Sequence, residues 1–139
     1  MNLPRVLLAT LGAMVAYFGL GSLFFTRAAM RTEFMKYRAV YRSEEDMKGV
    51  MPLGMAGMLL SMGVLAVLFA MLHPAGAGIV AGAEFGALIG LYALGSFVLH
   101  NHVNLNIGGR LTLYQACAYF VEWVAVGIVI SLIYRGTAG

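Results

Sequence analysis

The sequence predicts an all-α membrane protein: a four-transmembrane-helix bundle with an amphipathic interfacial segment between the first two helices. Three observations carry this. Of the 139 residues, 61% are hydrophobic and only 11% charged, where a soluble domain averages about half apolar and about a quarter charged. The apolar residues gather in four runs, each of about the 20 residues that cross a bilayer. The connection after the first run is basic, with aromatic residues at helical spacing. The mean hydropathy is +0.85. Together these exclude a soluble enzyme, a disordered tail and a nucleic-acid-binding domain. The net charge of +3 comes from a few basic residues beside apolar runs, a topology signal and not a phosphate-binding face. The single cysteine, Cys117, leaves no internal disulfide and no cysteine metal cluster.

The spans run from Val6 to Phe25, Val50 to Leu72, Ile79 to Leu99 and Leu111 to Tyr134. Little chain lies between them, so residues 1–139 read as one membrane domain. The first run is longer than the roughly 7–15 residues of a signal-peptide core and lacks a small-x-small site, so it reads as an uncleaved helix. Arg27, Arg31, Lys36, Arg38, Arg42, Lys48 and Arg110 fall in the first and third loops, against Arg5 and Arg135 on the other side. The positive-inside rule then puts those loops in the cytoplasm and both termini outside. The expected location is the bacterial cytoplasmic (inner) membrane.

Within the first loop, Met30, Phe34, Tyr37 and Tyr41 share one helical face, with Arg31, Lys36, Arg38 and Arg42 off it. Such a stretch is expected along the headgroups, as an anchor or as a reader of anionic lipid or a partner. Ser43 followed by Glu44, Glu45 and Asp46 reads as a helix start, the serine capping and the acids lying at the positive end of the dipole. Neighbouring acids on a helix diverge, which argues against a cation site. Pro52 should bend the second spanning helix.

Gly78, Gly82, Gly86 and Gly90 repeat every four residues. This glycine zipper predicts a close helix contact, within the chain or between subunits. Met51, Met55, Met58 and Met62 form a stripe read as adaptable packing and not as a Cu(I) site.

Glu122 lies at the middle of the fourth span, where a charge costs about 2.5–3.5 kcal/mol on insertion scales. It must face the interior, find a donor or be protonated. Thr112, Gln115, Tyr119 and Glu122 share one face; Tyr92, Ser96, His100 and Asn104, spaced by four, share another on the third span. Antiparallel pairing of the two predicts a polar seam from the cytoplasmic surface to mid-membrane, ending at Glu122, with Tyr92, Tyr17 or Ser61 as its hydroxyl partner. His100 and His102 are weak metal candidates, since residues two apart on a helix point about 200° apart; a haem or chlorophyll ligand there or at His73 is weaker. The asparagines around them should end the third helix, with Gly108-Gly109 as the stop and turn. Glu84 lies one turn into its span and is expected to snorkel to the outer interface. No cofactor is identified by these residues.

The segments Gly90-Leu91-Tyr92, Asn101 or Asn104, and Glu122-Trp123 with Gly127 resemble a group of small bacterial four-helix membrane proteins known only as domains of unknown function. The resemblance covers mainly residues 82–134. The acid is Glu where that group usually has Asp, and the acid common in its first helix has no counterpart near Tyr17. It implies the four-span architecture and transfers no activity. The chain lacks the Arg-x-x-x-Asn-x-x-Glu pattern of membrane-bound glutathione-using enzymes, a P-loop, a dinucleotide fingerprint and a zincin motif. The expected role is a non-enzymatic accessory or assembly subunit acting through helix packing, with the bilayer and other membrane helices, or copies of itself, as partners. The alternative is a small carrier or binding protein for a proton, cation or lipophilic ligand, centred on Glu122.

Overall fold

The computed structural model describes residues 1–135. Asn2 opens the first helix, α1 (Leu3–Phe25): its side chain accepts from the Arg5 amide at 3.3 Å, and Pro4 sits in the first turn where no amide proton is needed. A short helix, α2 (Ala28–Lys36), follows. Ser43 caps α3 (Glu44–Leu72), its Oγ accepting from the Asp46 amide at 3.1 Å and donating to the Asp46 carboxylate at 2.7 Å. The helix continues through Pro52. Gly76, with φ of 88°, lies in the turn that follows α3, a backbone conformation that glycine adopts without steric cost. The third span then comprises α4 (Ile79–Ala93), a π-helical stretch Leu94–Leu99 and α5 (His100–Asn104). The last helix, α6 (Gly109–Ile133), starts from Gly108, whose extended backbone is an N-cap and not the left-handed stop that the glycine pair suggested. Four helical stretches are long and apolar enough to cross a membrane.

The helices pack in the order α3, α1, α6, α4, each antiparallel to its neighbour, with α4 on α6 the most extensive contact. The glycine repeat builds it. A methyl group on Gly82 would run into Ser131 and the Gly127 carbonyl, and one on Gly86 into the Trp123 carbonyl and Val124 Cα. One on Gly90 would lie 2.9 Å from the Phe120 ring. From the other side, a methyl on Gly127 would strike the Gly82 carbonyl. Backbone therefore meets backbone, as small-residue packing in lipid requires. Gly78 is not part of this contact: it is the N-cap of α4 and has open space around it.

Two clusters of buried apolar side chains lie at opposite ends, termed outer for the end of Asn2 and Arg135 and inner for the end of the first loop. The outer one joins Val6, Ala9 and Ala13 of α1 with Met62, Ala66 and Phe69 of α3, Phe85 of α4, and Val126, Ile130 and Tyr134. The inner one holds Met30, Ile107, Leu111 and Ala118, with Phe24, Phe34, Tyr37 and Tyr41 against them. The apolar face of the first loop thus packs on the ends of α1 and α6. Its helix also stops at Lys36, and Tyr37–Tyr41 reach the same surface through turns. The methionine stripe is used only at its outer end, where Met62 is buried and Met58 half-buried; Met51 and Met55 are exposed.

Gly86→Leu should lower unfolding stability by about 1–3 kcal/mol or more, because neither backbone can retreat. Gly78→Ser, which meets nothing and adds a capping hydroxyl, should keep or slightly raise it. Thermal unfolding of both variants in one detergent checks the pair.

Candidate functional site

Glu122 is fully buried, and neither carboxylate oxygen has a hydrogen-bond partner. It lies on α6 between the two apolar clusters and turns toward α1. A methyl built on Gly21 would stand 3.4 Å from Glu122 Oε1, so the glycine leaves the room in which the carboxyl sits. Tyr17 and Tyr119 are the phenols within electrostatic reach of it. Tyr17 packs its ring on Trp123 with centroids 5.3 Å apart. Tyr119 lies between Phe25 and Phe97, at 5.6 and 5.4 Å. The acid is thus walled by aromatic rings, and desolvation is its dominant energetic fact.

The α6 half of the seam exists. Thr112, Gln115 and Glu122 are buried and Tyr119 half-buried; Gln115 and Glu122 face the first loop and α1, while Thr112 meets α5. Gln115 Nε2 donates to the Tyr41 hydroxyl at 3.4 Å, and Thr112 Oγ1 lies 2.8 Å from His102 Nδ1. The half expected from the third span does not join it. Tyr92 is 73% exposed, and Ser96, His100 and Asn104 are exposed as well. The reason is geometric. Tyr92 follows Gly90 by two residues, or about 200° of helix, so the glycine contact with α6 turns Tyr92 away from it. Ser96 Oγ donates instead to the Tyr92 carbonyl at 2.8 Å, and Ser61 Oγ to the Gly57 carbonyl at 2.9 Å. Neither Tyr92 nor Ser61 is therefore the partner of Glu122. The π-helical stretch, with its wider turn, then shifts the register of α5, and His102 in place of His100 faces Thr112.

No group of three potential metal-ligating side chains occurs among the described residues. Glu84 is exposed on α4, where its side chain can reach the outer interface.

Three features were not read from the sequence. Glu33, the only acid between Arg27 and Arg42, is buried at the inner end, 2.7 Å from Lys36 Nζ and 3.4 Å from Arg110 Nε. Its isolation among basic residues was the available signal. Tyr41 completes the seam from a turn, which helical spacing alone does not reveal. The Tyr134 hydroxyl is buried without a partner at the outer end.

The chain matched no known protein family, no curated protein and no solved structure.

The unpartnered carboxyl gives a direct test of what it contributes to the fold. Leaving a buried polar group unsatisfied costs about 1–3 kcal/mol. Glu122→Met, apolar and of similar length, should therefore raise thermal stability in detergent by about 1 kcal/mol. A loss of stability would show that the carboxyl is held by a donor.

Proposed function

We propose that this protein is a non-enzymatic accessory or assembly subunit of the bacterial inner membrane that acts through helix packing. The observation that supports this best is the inner half of α3. Every residue from Glu44 to Gly57 is exposed, and Gly49, Gly54 and Gly57 each have open space around them. At about 1.5 Å per residue, the 29 residues of α3 extend over about 43 Å. This exceeds the roughly 30 Å hydrocarbon core, so with Leu72 at its far boundary the first turns of α3, to about Pro52, reach beyond it and residues 53–57 lie within the inner leaflet. There α3 has left its bundle. It touches α4 by way of Phe69 and Phe85 at the outer end, rings 5.4 Å apart. At that same end a groove of about 810 Å³ lies between Leu3–Thr10 of α1 and Ala56–Leu68 of α3. Van der Waals packing drives association between helices in lipid, and a bare half-helix notched by glycines offers that surface to a second membrane helix.

Gly54→Leu should leave the melting temperature of the isolated protein unchanged, since nothing lies within 4 Å of that glycine. The same change should release the protein from the larger species in which it migrates on native gels of mild-detergent membrane extracts. Migration of the parent protein as a lone species in such extracts would overturn the assembly role.

A second reading is a proton or cation site at Glu122, favoured by its two unpartnered oxygens. Glu122→Gln keeps the shape and removes the titrating group. It separates the two roles: assembly and phenotype both survive under the first, while assembly survives and activity is lost under the second.

The proposed orientation has both termini outside. All seven basic residues of the first and third loops gather at one end, where Arg110 meets Glu33; Asn2 Nδ2 meets the Arg135 carbonyl at the other, 3.4 Å away. In a Cys117→Ala background, Ala77→Cys should react with an impermeant maleimide on intact cells. Ser43→Cys should react only after permeabilisation.

A further inference from the structure

A groove of about 280 Å³ opens to the lipid at the inner end of the bundle. It is lined by Phe24 of α1, Met30 of α2, and Tyr114, Cys117 and Val121 of α6, with Arg27 at its rim. The lining is apolar apart from that arginine and the tyrosine hydroxyl. Along α6 the lining runs from Tyr114 to Val121, about 10 Å at 1.5 Å per residue, or roughly two-thirds of the depth of one leaflet of a hydrocarbon core about 30 Å thick.

A second cation is held beside it. Arg110 Nε and Nη2 donate to the Tyr114 hydroxyl at 3.2 and 3.1 Å, and the guanidinium lies 5.6 Å from the centroid of that ring. Tyr114, a wall of the groove, thus fixes the arginine at its mouth. Arg31 follows Arg27 by four residues and is exposed. The only acid nearby, Glu33, is buried and already engaged by Lys36 and Arg110. An apolar slot about 10 Å deep has Arg27 at its rim and Arg110 held beside it on Tyr114, and anionic lipid is attracted to such interfacial cations.

We propose that this groove binds an anionic glycerophospholipid of the facing leaflet, one acyl chain between α1 and α6 and the phosphate at Arg27 and Arg110. The site is independent of the bare α3 surface, and its test does not involve assembly. Native mass spectrometry in detergent, titrating phosphatidylglycerol or phosphatidylcholine of the same chain length, reads it directly. Phosphatidylglycerol should bind at least about fivefold more tightly, the effect of one interfacial cation on an anionic lipid. Arg27→Gln, an exposed position without a capping bond, should remove most of that preference. The paired control Arg38→Gln removes the same charge away from the groove and should leave the preference intact. Cys117→Trp, at an exposed wall position, should fill the slot and weaken binding of both lipids. Equal affinity for the two lipids would overturn the proposal. An Arg38→Gln effect as large as that of Arg27→Gln would reduce the site to diffuse surface charge. Undiminished binding to Cys117→Trp would show that the arginines hold a headgroup without the groove.

Discussion

Where Gly82 and Gly86 of α4 meet Gly127 of α6, two helix backbones touch with no side chain between them. In lipid there is little hydrophobic gain from pairing helices, because acyl chains are as apolar as leucine. What remains is dispersion, which falls off steeply with a gap of even half an ångström. The glycine contact collects that attraction over the length of α4 and sets the rotation of both helices. With α4 fixed by its glycine face, the opposite face carrying Tyr92 goes to lipid. With α6 fixed by Phe120, Val124 and Gly127, its polar stripe turns to α1. Glu122 is buried against Gly21 as a consequence of a contact made elsewhere.

Much of this was written in the sequence, and one part was written there and misread. The four spans follow from length and hydropathy alone, since a bilayer leaves few alternatives for an apolar run of this size. Gly82, Gly86 and Gly90 announced the close contact. The same arithmetic excluded Tyr92 from it, because residues two apart on a helix cannot share a face. Tyr92 and Glu122 each stand near the middle of their own span in the sequence, but mid-span position does not specify rotation, and the contacts of Gly86 with Trp123 and Gly90 with Phe120 put Tyr92 about a turn beyond Glu122. The register of α5 was not legible: nothing in Leu94–Leu99 declares a π-helical turn, and that turn decides that His102, and not His100, meets Thr112. Tyr41 was placed on the right face for the wrong neighbour, since an apolar stripe does not say whether it covers lipid or protein.

The two ends of the bundle are built on different chemistry. The outer end is a side-chain core that draws on all four spans, with Phe69 set against Phe85 and Tyr134. The inner end is aromatic and ionic, with α2 laid over α1 and α6, and Glu33 drawing Lys36 and Arg110 together. Lys36 and Arg110 are both mostly exposed, so these pairs are worth little as stability. Their effect is to position charge at the membrane surface. The firm half of α3 belongs to the outer core, and its free half to the end where charge is concentrated.

The spatial order α3, α1, α6, α4 has a consequence for synthesis. α6, the helix that touches both α1 and α4, follows the other three in chain order. Until α6 enters the bilayer, α1 and α3 can form only a loose pair, and α4 must wait with its glycine face turned to lipid. The fold therefore closes in a single late step, when one helix supplies the surface that α1 and α4 both lack. A chain cut short before Gly109 would keep the α1–α3 pair and lose every contact by which α6 joins α1 to α4.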